Sequence, residues 1–224
     1  MAEKKKVSIL GCGWLGFPLG TALVQKGYDV KGSTTSEDKI ESLKQEGIQP
    51  YQFSLNLETL PNGLKEFLEA EVVIITLPPK AKNNSSPVLP DILKNLQPWI
   101  EQSAIQELIL ISSTSVYPKS NSIVDENTDP APSRKNGHAL VEAENIVKAL
   151  SGISTTILRL GGLIGYDRIP HKFLGFTVTP TNPNGQLNLV HRDDIIAIMQ
   201  KLMASGITNE VFNIVADEHP KRRT

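Results

Sequence analysis

Cysteine is nearly absent from this chain: Cys12 is the only one. It can close no internal disulfide, and a lone thiol gives no cluster for a structural zinc, so a reducing cytoplasm is the expected setting and no metal site is expected. An excess of charge is missing too. The 23 Lys and Arg stand against 24 Asp and Glu, a net of -1, and without a basic surplus nucleic acid is not an expected partner. Long apolar runs are also lacking: candidates such as "VVIITL" (72–77) stop at prolines, far short of the roughly 20 residues that cross a bilayer. No membrane partner is expected. The start, "MAEKKKVSILGCGWLGFPLGTALV", imitates a secretory signal with its basic head and apolar stretch, but four glycines interrupt that stretch.

What is present is the alternation of an α/β protein. Short apolar, β-branched runs recur at 6–10, 28–32, 49–55, 71–77, 107–112 and 154–160, and between them the spacing predicts helices over 14–26, 36–46, 87–102 and 137–150. Near-continuous apolarity in "VVII" and "LILI" fits strands covered on both faces, which predicts a doubly wound parallel sheet of Rossmann type. After residue 160 the texture turns to Gly, Pro, Asn and His, with little regular structure expected until a helix returns at "HRDDIIAIMQKLMA", followed by a short strand "EVFNIV". The expected division is a core over 1–160 and a small C-terminal substrate lobe over 161–224, in one continuous unit. There is no internal repeat.

"VSILGCGWLG" sets Gly11, Gly13 and Gly16 as G-x-G-x-x-G between a strand and a helix. The first glycine permits a tight turn, the second lets a pyrophosphate approach the backbone, and the third lets helix pack on strand. Trp14 and Leu15, between them, are counted with the glycines as cofactor contacts. Free N–H groups and the helix dipole favour a phosphate there. About 20 residues on, where a carboxylate would hold the ribose of NAD, the sequence has Ser33, Thr34, Thr35 and Ser36 instead. These hydroxyls, with Lys31 or Lys39, suit a 2′-phosphate, so NADP is preferred over NAD; the alternative is that the Ser/Thr run caps the next helix. Leu77 and Pro78 end the fourth strand at the edge where open α/β sheets place ligands. They are expected beside the cofactor; the alternative is a strand simply stopped by proline.

"ILISSTSVYP" (109–118), "LRLGGLIG" (158–165) and "LNLVHRDDI" (187–195) resemble, in order, three motifs of the extended short-chain dehydrogenase/reductase family, the NAD(P)-dependent epimerase/dehydratase group. With the glycine loop they span nearly the whole chain. The resemblance implies a Rossmann sheet with a small molecule bound between it and a C-terminal lobe, and it admits a homodimer. It implies Ser113 as the catalytic hydroxyl, Ser112 near the nicotinamide, and Thr114 at the substrate; His191 either faces the same cleft or, with Asp193, joins the lobe to the sheet. Arg159, costly to bury unpaired, is expected to meet a carboxylate or a substrate group, while Arg168, His171 and Lys172 lie in a segment expected to cover substrate. The family's members usually continue through another helix and strand beyond the last strand here, so the expectation is either a short member or a lobe that lacks its end.

One departure stands out. The family's Tyr-x-x-x-Lys pair, with a Glu four residues beyond the Lys, has no match in "SRKNGHALVEAE" (133–144). Setting that Glu at Glu144 puts Asn136 and Leu140 in the pair's places; setting it at Glu142 puts Arg134 and His138 there. His138 is then either a substitute acid or a solvated residue at the helix start, and Arg134 and Lys135 either hold an anionic substrate or are surface charge. The chain is accordingly expected to be an atypical hydride-transferring enzyme acting on a sugar nucleotide or other small hydroxyl or carbonyl compound. The alternative is a cofactor-binding regulator or redox sensor without turnover.

Overall fold

The structure is a computed structural model that describes residues 4–56, 59–79, 88–119, 122–169, 184–206 and 209–221. Seven parallel strands form one sheet in the order β3-β2-β1-β4-β5-β6-β9. They are β1 Lys6–Leu10, β2 Asp29–Thr34, β3 Gln49–Gln52, β4 Val72–Ile75, β5 Glu107–Ser113, β6 Ser154–Leu160 and β9 Val211–Ile214. A second, two-stranded parallel sheet joins β7 Gly162–Ile164 to β8 Leu189–His191. The described helices are α1 Gly16–Gln25, α2 Ile40–Gln45, α3 Leu64–Leu68, α4 Leu89–Glu101, α5 Lys135–Lys148 and α6 Arg192–Ser205. None of them is long and apolar enough to cross a membrane.

The apolar strands are read by the pleat. In β4, Val73 and Ile75 enter one core layer with Phe67 of α3, Leu93 and Leu96 of α4, and Leu140 and Val147 of α5. Val72 and Ile74 enter the opposite layer with Leu19 and Leu23 of α1, Leu43 of α2, and Ile195 and Met199 of α6. Both faces are therefore covered, and successive side chains go to opposite faces because the strand period is two. The strand order reverses between β1 and β4, which opens a crevice at the carboxyl ends of those strands.

Residues beyond 160 also contribute to these layers. β9 pairs with β6 in parallel, Ile157 to Val211 through Leu160 to Ile214, as the seventh strand of the main sheet, and α6 packs on the α1 face of the core. Among the described residues, β7 and β8 form the separate small sheet. The sequence passed over α3, a five-residue helix too short to show a period, and the three-residue strands β7 and β8 for the same reason.

Candidate functional site: the crevice at the glycine turn

The turn after β1 is held from three sides. Gly11 adopts φ 105°, a left-handed conformation that favours glycine, and its carbonyl accepts from Gly13 N–H at 2.7 Å and from Thr76 Oγ1 at 2.5 Å. Its own N–H donates to Ser33 Oγ at 2.9 Å, and Cys12 N–H donates to Ser33 O at 2.7 Å. A Cβ on Gly16 would run into the Gly11 carbonyl oxygen, so α1 can start this close to the turn only with glycine there. A Cβ on Gly13 would meet nothing within 4 Å. The exposed space in front of Gly13 is what a phosphate needs to approach the backbone, and the first turn of α1 carries no acidic side chain to repel it. The turn therefore fits a dinucleotide's pyrophosphate. Leu15 is buried behind it, Trp14 is half-buried, and Leu77 overhangs Gly11, with Pro78 exposed beyond.

The end of β2 divides its hydroxyls. Ser33 braces the turn, Thr34 is buried and its Oγ1 accepts from Ser36 N–H at 3.1 Å, and Thr35 is exposed at the rim. Lys31 does not reach the rim. Its ammonium is turned back to the carbonyls of Glu66 and Glu69, the latter at 3.0 Å, across the Tyr51 ring, and burial lowers its pKa. A 2′-phosphate contact from Lys31 is thereby ruled out by side-chain direction, whereas Lys39 is exposed and near enough to act on the Cys12 thiol. Burial beneath Gly32 pushes that thiol up to about 12, against the opposing pull of Lys39.

On β5 the pleat separates two adjacent serines. Ser113 is partly exposed at the strand end, and its Oγ accepts from Ser115 N–H at 3.2 Å, capping a short 3-10 turn over Thr114–Val116. Thr114 Oγ1 lies 3.4 Å from Leu160 O. Ser112, expected near the nicotinamide, is buried and donates to Glu144 Oε1 at 2.6 Å. Arg159 shares this carboxylate. It is 2% exposed, its Nη2 and Nε donate to Glu144 at 2.7 and 3.1 Å, and its Nη1 donates to Tyr117 OH at 2.8 Å. Of the two partners foreseen for it, the carboxylate is present, and burial keeps the guanidinium away from the crevice. Tyr117 passes the chain of bonds on to Asn213 Oδ1 of β9 at 2.9 Å. The hydrogen bonds to Glu144 and Tyr117 hold Arg159 above its ordinary range although burial, the largest single influence, acts the other way.

Helix α5 docks by its first turn: a Cβ on Gly137 would collide with Ser115 O and Pro132. Leu140 is in the core and Asn136 is half-buried, while Arg134, Lys135 and His138 are exposed. Glu142 faces solvent and pairs with Lys94 at 2.5 Å; Glu144 is the buried one, 1% exposed.

Beyond β7, Gly165 and Arg168 exchange both backbone hydrogen bonds at 3.1 Å, closing a tight turn with Tyr166 and Asp167 at its tip. Asp167 accepts from Trp14 Nε1 at 2.8 Å, and Tyr166 OH donates to Asp193 at 2.6 Å. His191 caps α6, its Nδ1 accepting from Asp193 N–H at 3.2 Å, and stands edge-on to the Tyr166 ring. His171 and Lys172 lie outside the described residues. Sequence reasoning passed over Asp167 and Arg192. The signal available was the tryptophan inside the glycine turn, a large side chain that has to pack on something.

Residues 6–114 match the family described as NADP oxidoreductase, coenzyme F420-dependent. Over 220 residues the chain is 34% identical to the protein YeeZ of Escherichia coli K12, covering 97% of this chain and 80% of that one. Among solved structures, the UDP-glucuronic acid 4-epimerase of Bacillus cereus in complex with UDP-glucuronic acid and NAD superimposes with a TM-score of 0.77 at 21% identity, covering 96% of this chain and 79% of that one. A functionally unknown conserved protein from Silicibacter pomeroyi gives a TM-score of 0.77 at 22% identity, covering 97% of this chain and 74% of that one.

Proposed function

The chain belongs to the family of the Escherichia coli protein YeeZ and has the fold of NAD-dependent epimerase/dehydratase-like proteins, and from that premise we propose that it is an NAD(P)-binding enzyme acting by hydride transfer on a small hydroxyl or carbonyl substrate, a sugar nucleotide in the first instance. The observation that carries this is the turn Gly11–Gly16, open at Gly13 and closed at Gly16. The dinucleotide, when bound, supplies the hydride donor or acceptor. Gly13, Trp14, Leu15 and Gly16 hold its pyrophosphate, with Leu77 and Pro78 along the rim. Thr35 and Lys39 stand where a 2′-phosphate falls, and no carboxylate occupies the end of β2 to repel one, which supports NADP over NAD.

Ser113 is the catalytic group in this proposal. Its hydroxyl, at the open end of β5, donates to a substrate oxygen on which charge develops as a carbonyl forms or is reduced. Thr114 and His191 flank the substrate. The buried position of Glu144 favours the alignment that puts Asn136 and Leu140 where the family has Tyr and Lys, so the usual acid/base pair is absent from α5. Leu140 in the core is the specific observation favouring a second function, a cofactor-binding sensor without turnover. In that case sensing goes through the bound dinucleotide, since a thiol with a pKa pushed to about 12 does not form the reactive thiolate near neutral pH. A cytoplasmic setting and a homodimer belong to the proposal as well.

Fluorescence titration is expected to give tighter binding of NADPH than of NADH, with Lys39→Gln narrowing the difference; equal affinities in the unaltered protein overturn the NADP preference. A turnover screen with sugar nucleotides, repeated on Ser113→Ala, separates enzyme from sensor. Activity is expected in the first and loss in the second, and undiminished activity in Ser113→Ala removes that hydroxyl from the mechanism.

A further inference from the structure

Trp14 has contacts that a cofactor turn does not need for its own folding. Its indole N–H donates to Asp167, and this bond holds the Asp167 carboxyl below its ordinary range. Two guanidinium groups flank the ring, Arg192 with its Cζ 4.9 Å from the centroid and Arg168 at 5.4 Å. Arg192 also lies 3.8 Å from Asp167 and directs Nη1 at the Trp14 carbonyl, 3.5 Å away. Gly165 permits the approach, since a Cβ there would come within 2.8 Å of Trp14 Cζ2. One bond is left unmade: Arg192 Nε is shut off from water and has no partner among the described residues. A buried donor left unpaired is destabilising. The arrangement holds the arginine against the tryptophan at the expense of that bond.

Resting on the dinucleotide-binding function proposed above, we propose that Trp14 is a positioning residue that ties the pyrophosphate turn to the turn Gly165–Arg168 and to the start of α6, so that dinucleotide binding and seating of the small sheet are one event. The tie joins distant parts of the chain: the indole reaches Asp167 with a separation of 153, and Arg192 reaches Trp14 with a separation of 178. Trp14 precedes Leu15 and Gly16, whose backbone opens α1, so a shift of the indole is a shift of the N–H groups that meet the phosphates. Substrate enters beside β7 and β8 in this scheme, on a surface that the bound dinucleotide has already fixed.

The chain has two tryptophans, and the other, Trp99, lies far from the crevice with Lys65 over its ring. In a Trp99→Phe background, NADPH is expected to change the emission of Trp14 and to slow backbone hydrogen exchange across residues 162–169. Asp167→Asn and Trp14→Phe are expected to raise the Kd for NADPH and for NADH by the same factor, on the order of 3- to 10-fold, because the pyrophosphate is common to both. The slowing of exchange is expected to be lost in Asp167→Asn while the melting temperature of the free protein stays within a degree or two. A merely structural Asp167 would lower that temperature and leave the coupled protection intact. Unchanged exchange over 162–169 when NADPH binds the unaltered protein, or unaltered affinities in both variants, overturns the coupling alone; failure of the unaltered protein to bind any dinucleotide overturns the proposed function and the coupling with it.

Discussion

Gly13 and Gly16 are expected to respond differently to a side chain, although the same motif names both. Gly13→Asp puts its Cβ into open space, so the melting temperature is expected to hold while dinucleotide binding is abolished by a carboxylate set against phosphate. Gly16→Ala drives a methyl into the Gly11 carbonyl and is expected to cost both binding and stability, on the order of 1–3 kcal/mol as for an overpacked core; thermal melting with and without NADPH separates the two cases. Cys12 gives a pH prediction. Its pKa is raised from 9.0 to about 12, so the folded state binds that proton more tightly than the unfolded one, and its contribution is complete below pH 9 and lost as pH rises toward 12. Thiol reagents are expected to leave Cys12 unmodified at pH 8 until the chain unfolds, and the melting temperature of Cys12→Ala is expected to fall less steeply above pH 9 than that of the unaltered protein. The glycine spacing is visible in the sequence because it is local. That Ser33 braces the turn and that Lys31 points away from it is not, since strands adjacent in the sheet are distant in the chain.

Helix α5 shows how an element carries two kinds of information. Its period of 3.6 and the small Gly137 are plain in the sequence, and they place Leu140, Ala143 and Val147 in the core. Which of two glutamates is buried is not plain, because Glu142 and Glu144 are two residues apart and either fits a helix. The decision comes from Arg159 of β6 and Ser112 of β5, which present a cation and a hydroxyl at the level of Glu144 and none at that of Glu142. Glu144→Gln is accordingly expected to lower unfolding stability by about 3–5 kcal/mol, the cost of leaving one partner of a buried pair uncompensated. Chemical denaturation is expected to show Glu142→Gln, an exposed pair with Lys94, without a measurable change in midpoint. A Glu144→Leu, Arg159→Met double variant is expected to recover most of the loss, since similar volume without charge removes the desolvation problem. No recovery would mean that Arg159 does more than balance Glu144, for instance by holding Tyr117 against β9.

At the scale of the whole molecule, the reversal of strand order between β1 and β4 and the packing of helices on both faces make a platform with a crevice at the carboxyl edge of those strands. A ligand held there stabilises the fold by mass action, so NADPH at 100 times its Kd is expected to raise unfolding stability by about 2.7 kcal/mol; differential scanning fluorimetry at graded NADPH would show the melting temperature rising with concentration. Asp167→Asn is expected to need a higher concentration for the same rise. The sequence by itself determined the α/β class, six of the seven strands of the main sheet in its first 160 residues, the later helix and strand, and the glycine turn. All of these follow from short-range patterns, pleat and helix periods and the turn's need for a bare backbone. Tertiary structure alone decided that β9 completes the main sheet, that Arg159 belongs to Glu144, that Ser112 and Ser113 serve opposite faces, and that Trp14 is bound to Asp167 and Arg192. Each of those depends on groups brought together from positions 15 to 178 residues apart or on the direction a strand's pleat gives them, and such directions are fixed only when both faces of the sheet are packed.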